Sequence, residues 1–171
     1  MEIDPVKNPN SHPAPRFEPA TEDDIPEITG VMARAFDDDS RRFRGIDKGG
    51  PPGYDNGDFL RQWMPVGKAY KVIEAGRIAG CFIVFTDNPA SGENWLGTIF
   101  IDPEFQDRGT GAQAMEFVHE SFPARVWRLE TPDWATRNHH FYEKFGYRKI
   151  VEHPVEDMIS FVYERVTGTE G

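Results

Sequence analysis

The sequence predicts an α/β fold with a mixed central sheet of six to seven strands and about four helices. Three observations predict it. Two apolar runs, AYKVIE and RIAGCFIVF, flank Ala75-Gly76 and read as a hairpin. A strand over 94–101, a helix over 109–121 and a strand over 125–131 form one strand-helix-strand step, which is expected to be parallel and right-handed. A further helix and two more strand patterns then close the chain.

Each element has its own warrant. Residues 1–15 are rich in Pro, Asn and Ser and read as a disordered tail, leaving 16–171 as a single domain. A short strand is expected at Arg16 to Pro19. Thr21, with Asp24 three residues on, resembles a capping box, and Ile25, Ile28, Met32 and Ala35 repeat at helical spacing as far as Phe36. Residues 37–57, DDDSRRFRGIDKGGPPGYDNG, lack apolar periodicity and read as a long surface loop. Asp58 to Met64 is a short helix stopped by Pro65. The hairpin follows, then TDNPASGE and the strand Asn94 to Ile101, ended by Pro103. The helix from Gly109 to Ser121 places Met115, Val118 and Phe122 on one face. Arg125 to Thr131 is a strand closed by Pro132. Thr136 to Phe145 is a helix with Gly146 just past its end. The last strands are Tyr147 to Glu152 and Asp157 to Val166.

Composition narrows the functional class. Nineteen Lys and Arg stand against 29 Asp and Glu, a net charge of −10. That sign argues against a general nucleic-acid binder, which needs a basic face. The one cysteine, Cys81, cannot form an internal disulfide, so the chain reads as reduced and cytoplasmic. MEIDPVKNPNSHPAPRF has no apolar core of a signal peptide, and no apolar run reaches the roughly 18 residues that cross a membrane.

The stretch FQDRGTGAQAMEF, residues 105–117, is built to hold a phosphate. A helix N-terminus leaves N–H groups unpaired and carries partial positive charge. Gly109 and Gly111 remove Cβ atoms, so the backbone can approach a ligand closely. Arg108 adds charge and Gln106 a side-chain donor. A dinucleotide site fits on paper. Gly109 to Ala114 matches G-x-G-x-x-G/A, and Glu130 lies about 20 residues on, where a ribose-binding acid belongs. However, DPEFQDR separates the strand from Gly109, too much chain for that tight turn, and a second alternating half is absent from the pattern. No P-loop string occurs.

The whole stretch IFIDPEFQDRGTGA resembles the acetyl-CoA-binding motif of the GNAT superfamily of N-acetyltransferases, Q/R-x-x-G-x-G/A after a strand. NHHFYEKFGY resembles that superfamily's second motif, in the right order downstream. The resemblance implies a GNAT-like, mostly antiparallel sheet with a parallel β-α-β core at the acyl-CoA site. It also implies acetyl-CoA as acyl donor and a primary amine as acceptor. Carried onto this chain, the cofactor-binding residues are Phe100, Ile101, Gln106, Asp107, Arg108, Gly109, Thr110, Gly111, Ala112, Asn138 and Tyr142.

Asn138 and Tyr142 lie four residues apart on one helix face, while Phe141 and Phe145 share another that reads as core. The resemblance implies that Tyr142 donates a proton to the departing thiolate and that Asn138 contacts the pantetheine arm. A core tyrosine with a satisfied hydroxyl is the plain alternative. The resemblance also implies an oxyanion-binding backbone N–H at a bulge in the strand 94–101, around Phe100 and Ile101. A base that neutralises the amine is expected. Glu93, at the strand start, is the candidate catalytic residue, with Glu130, Asp87, a water chain or a plain solvated role for Glu93 left open.

Other conspicuous residues have plain readings. His139 and His140 are adjacent on a helix, so their rings diverge and no metal site is expected. His119 reads as solvent-facing and Cys81 as a small core residue. Trp63, Trp95, Trp127 and Trp134 are core by default. In the resembling family the acceptor pocket is built from segments matching 37–66 and 150–160, with Tyr54 as the candidate substrate-binding residue. A small-molecule amine is the expected partner, with a protein amino group and a homodimer left open. No nucleic acid or membrane partner is expected. A non-catalytic acyl-CoA sensor is the alternative function, with the dinucleotide-binding domain behind it.

Overall fold

The computed structural model describes residues 14–86 and 92–167, so most of the 1–15 tail and Asp87 lie outside the described residues. The chain runs through β1 (Arg16–Pro19), a 3-10 turn (Glu22–Asp24), α1 (Ile25–Arg44), α2 (Asp58–Trp63), β2 (Lys68–Glu74) and β3 (Arg77–Phe85). It continues through β4 (Glu93–Ile101), a second 3-10 turn (Pro103–Phe105), α3 (Thr110–Ser121), β5 (Val126–Pro132), α4 (Thr136–Lys144), β6 (Arg148–Val155) and β7 (Met158–Val166). The seven strands form one sheet in the order β1-β2-β3-β4-β5-β7-β6. Every neighbouring pair is antiparallel except β4 and β5. This is the expected mixed, mostly antiparallel sheet with four α-helices. A single parallel step rules out the doubly wound sheet that a dinucleotide site requires.

The hairpin turns where expected: Ala75 and Gly76 have φ of 53° and 72°, the left-handed pair of a two-residue loop. β3 is buried on both faces and divides the core. On one side Cys81 and Ile83 pack under α1 and α2, with Ile28, Met32, Leu60 and Phe100. On the other, Phe82 and Val84 pack under α3 and α4, with Met115, Val118, Trp127 and Tyr142. Each such side chain contributes about 1.5–3 kcal/mol when fully buried.

The first helix is longer than the sequence pattern predicts. It does not stop near Phe36 but continues to Arg44, so residues 37–44 are helix and the loop begins at Gly45. The apolar stripe thins here, but local charge sustains the helix. Asp38 pairs with Arg42 at 3.2 Å, acid before base at i,i+4, and Arg41, Arg42 and Arg44 sit at the negative end of the helix dipole.

The loop that follows is strapped to this helix. The Ser40 hydroxyl donates to the Gly49 carbonyl at 2.8 Å, and the Gly49 N–H donates to Asp37 at 3.2 Å. Tyr54 is buried, and its hydroxyl donates to the same Asp37 oxygen at 2.5 Å. Burial, then Asp37, pushes the phenol up to about 12. Tyr54 therefore closes a turn and is not offered to a ligand, contrary to the sequence expectation.

β4 makes the opening that matters. It pairs with β5 only from Glu93 to Leu96, then the two strands part. At the same point its register with β3 slips: Ile83 faces Thr98 and Val84 faces Leu96, leaving Gly97 as the extra residue. A side chain at Gly97 would collide with the Phe85 ring. The expected bulge is present, but at Gly97 and not at Phe100 and Ile101. Beyond it, β4 from Gly97 to Ile101 has no strand partner on its β5 side among the described residues.

Candidate active site

The gap between the parted strands opens into a cleft of about 630 Å³. Ile99, Phe100 and Ile101 of β4 form its floor, and the start of α3 and one side of α4 form its walls. The C-terminal half of α1 forms a further wall.

The loop between β4 and α3 is held by a chain of side-chain bonds. Asp102 caps the 3-10 turn by accepting from the Glu104 N–H at 3.1 Å. Its other oxygen accepts from Arg34 Nε and Nη2 at 2.9 and 2.7 Å. Gln106 Nε2 donates to the Ile101 carbonyl at 2.9 Å, and its Oε1 accepts from Arg137 Nη1 on α4. Arg137 Nη2 also reaches Asp107 at 3.3 Å. Gln106 therefore orders the loop, a different role from the phosphate donor expected of it. Gly109 caps α3 at φ 83°, where a side chain would be strained, with open space on its Cβ side. The first backbone bond of the helix is Gln113 N–H to the Gly109 carbonyl at 3.0 Å. The N–H groups of Gly111 and Ala112 precede it, at the cleft wall, and are unpaired by the helix.

The cleft gathers Phe100, Ile101, Gln106, Asp107, Gly109, Gly111, Ala112, Asn138 and Tyr142 from the residues expected there. Two do not line it. Thr110 turns inward, and its hydroxyl bonds both oxygens of the buried Glu74 at 3.1 Å. Arg108 lies with its guanidinium over the Phe105 ring at 5.3 Å, and Arg77 lies over the same ring at 5.1 Å. Glu93 is also elsewhere. It starts β4 and holds Arg128 at 2.7 Å, six residues from Ile99, about 20 Å along an extended strand. Glu130 accepts from the Ser160 hydroxyl at 3.0 Å and is not part of the cleft lining.

Tyr142 is 7% exposed, with its ring edge-on to Tyr147 and Phe141. It sits in the core cluster and at the cleft at once. Burial, then the negative charge of Asp39, pushes its phenol well above the ordinary range, so it keeps its proton at neutral pH. Phe141 and Phe145 are half-buried and pack against the core as expected, but the buried residues of α4 are His139 and Tyr142, so the Tyr142 face is core as well. His139 bonds the Pro132 carbonyl at 2.8 Å through Nε2, and the exposed His140 lies 3.8 Å from Glu143, so the two rings diverge. His119 is not solvent-facing. It packs among Trp127, Phe145 and Tyr147, its Nε2 is 2.9 Å from the Tyr147 hydroxyl, and burial pushes it down to about 4.

Sequence reasoning missed the α1 wall. Ala35, Phe36, Asp39 and Phe43 line the cleft from residues partly read as loop. Their spacing, i, i+1, i+4 and i+8, was the available signal. Arg137, His140 and Lys144 on α4 were missed as well.

This geometry suits a coenzyme A thioester. Glycine-spaced N–H groups at a helix N-terminus meet a pyrophosphate, and an unpaired stretch of strand meets an extended arm. Comparison with known proteins bears on the same point. No curated protein sequence matches the chain. By fold, it is similar to the ribosomal-protein-S18-alanine N-acetyltransferase from Escherichia coli, with a TM-score of 0.70 at 16% identity over 92% of this chain and 96% of that one. It is similar to an acetyltransferase from Thermus thermophilus, with a TM-score of 0.70 at 19% identity over 91% and 99%. It is also similar to a GNAT family acetyltransferase from Elizabethkingia anophelis with acetyl-CoA bound, with a TM-score of 0.60 at 15% identity over 89% and 97%. Residues 67–149, which include the split strands, the glycine turn and Tyr142, match the acetyltransferase (GNAT) domain, a match over just under half of the chain, and the fold is that of GNAT acetyltransferase structures.

Proposed function

We propose that this chain transfers an acetyl group from acetyl-CoA to the primary amine of a small molecule by direct attack, with Tyr142 as general acid. One observation carries the reading. A buried, protonated phenol shares a single cleft with the free N–H groups of α3 and the unpaired stretch of β4.

Bound acetyl-CoA supplies the thioester and, on transfer, the thiolate. The residues of the chain do the rest. The Gly111 and Ala112 N–H groups, at the positive end of α3, hold the pyrophosphate. Asn138 positions the pantetheine arm along the cleft. A backbone N–H at Phe100 or Ile101 donates to the oxygen that gains charge, a contribution of about 3–4 kcal/mol in sites of this kind. As the C–N bond forms and the C–S bond breaks, the Tyr142 hydroxyl gives its proton to the sulfur, and the proton that the nitrogen sheds passes to solvent, from which Tyr142 is reprotonated. A phenol kept neutral by burial is suited to that step. Cys81 is fully buried and pushed up to about 12, first by burial, so it offers no thiolate for a covalent acyl intermediate.

The test is thiol release from acetyl-CoA with a panel of amines, one of them an alanine-terminated peptide. Tyr142→Phe should slow turnover about 10²–10⁴-fold while acetyl-CoA affinity stays within about twofold. A variant with unchanged turnover would return Tyr142 to a packing role and favour the sensor.

A further inference from the structure

One carboxylate in the cleft has no structural employment. Asp37 accepts from Tyr54 and Gly49, and Asp38 pairs with Arg42. Asp39, the next residue, lines the cleft and makes neither a hydrogen bond nor an ion pair within 4 Å among the described residues. Burial, its largest influence, pushes its carboxyl up. The charged groups around it are Asp38 and Arg42 on its own helix and Arg137 on α4, with the neutral Tyr142 phenol also near. His140, Lys144 and Asp107 complete the charged lining of the cleft. Arg137 is the nearest source of opposite charge from another element, but its guanidinium is committed to Gln106 and Asp107. Asp39 is therefore a partly desolvated carboxylate that feels Arg137 and Arg42 only at long range and has no directly bonded partner among the described residues, an arrangement that a bound cation relieves.

Phe36 lies three residues before Asp39 and Phe43 four after it, so all three share one face of α1, and all three line the cleft. An acid between two aromatic side chains, opposite Tyr142, is a site for a cation on an apolar stem. We propose that Asp39, flanked by Phe36 and Phe43, receives the acceptor as its ammonium ion, which gives up one proton to solvent before its nitrogen attacks, and that the acceptor is an alkylamine without an acidic group beside its nitrogen. This rests on the acetyl-transfer reading and narrows its acceptor. Amines that carry a phosphate or carboxylate next to the nitrogen are repelled by Asp39.

The test is calorimetric titration of the coenzyme A-loaded protein at pH 7 with 2-phenylethylamine and with the neutral 2-phenylethanol. Wild type should bind the amine at least about tenfold more tightly than the alcohol, as expected for one charge-assisted contact of about 1.5–3 kcal/mol. Asp39→Asn should reduce the two affinities to within twofold, and Asp39→Glu should retain the preference. Coenzyme A affinity, unchanged in both variants, shows that they fold. A wild type that binds amine and alcohol equally, or an Asp39→Asn variant that keeps the preference, overturns the proposal while acetyl transfer stands. A wild type that does not bind coenzyme A overturns the acetyl-transfer reading, and this proposal with it.

Discussion

Removing the guanidinium of Arg34 should harm the protein more than removing the charge of its partner Asp102. Asp102 is 3% exposed and makes three bonds: two from Arg34 and one from the Glu104 N–H. Arg34 keeps a side chain 56% exposed. In Arg34→Ala the carboxylate stays buried and loses its counter-charge. Breaking a buried pair this way costs about 3–5 kcal/mol, and solvent screening on the Arg34 side reduces that to about 2–3 kcal/mol. In Asp102→Asn no buried charge remains, the amide oxygen can still accept from Glu104, and Arg34 turns into water, so the cost is about 1–1.5 kcal/mol. At this chain length 1 kcal/mol moves Tm by about 2–4 °C, giving a fall of about 4–12 °C for Arg34→Ala and about 2–6 °C for Asp102→Asn. The double variant should lose less than the sum, because the two changes remove one interaction. Asp102 also leads into the glycine turn, so both variants should bind acetyl-CoA more weakly. Thermal and urea unfolding of the four proteins decide the matter. Equal costs for the single variants, or a loss below about 1 kcal/mol for Arg34→Ala, would refute this account of the strap.

Two further outcomes follow from buried groups. The His119 ring is held down to about 4 against an ordinary 6.5, so below pH 6.5 the unfolded chain takes up a proton that the folded chain refuses. Stability should therefore fall as pH drops from 6.5 towards 4, and His119→Leu should flatten that slope relative to wild type in thermal unfolding across the range. Cys81 is fully buried, so a disulfide exchange reagent should leave the native thiol unmodified and titrate one thiol only after unfolding; rapid labelling of native protein would contradict its place in the core.

Which parts of the fold could be read from the sequence has physical reasons. The hairpin was legible because left-handed turn residues separate two apolar runs, and the glycine turn because Gly109 needs a positive φ. The end of α1 was not, because residues 37–44 hold their helix through Asp-to-Arg pairs and an aromatic stripe, which an apolar-periodicity reading passes over. Tyr54 looked like a ligand contact because its hydrogen-bond partner, Asp37, lies 17 residues back and meets it only through the strap. Tyr142 was found from its motif, but its burial was not, since α4 rolls His139 and Tyr142 together onto the sheet. Glu93 shares a strand with the cleft floor, and parity along a strand says nothing about distance from the far end.

The most direct test of the central claim is thermal unfolding with acetyl-CoA, NAD or ATP at matched concentration. At 100 times its dissociation constant, acetyl-CoA should add about 2.7 kcal/mol, a rise in Tm of about 5–11 °C at 2–4 °C per kcal/mol. NAD and ATP should leave the midpoint near that of the free protein. No shift with acetyl-CoA, or an equal shift with NAD, would contradict the assignment of this cleft to a coenzyme A thioester.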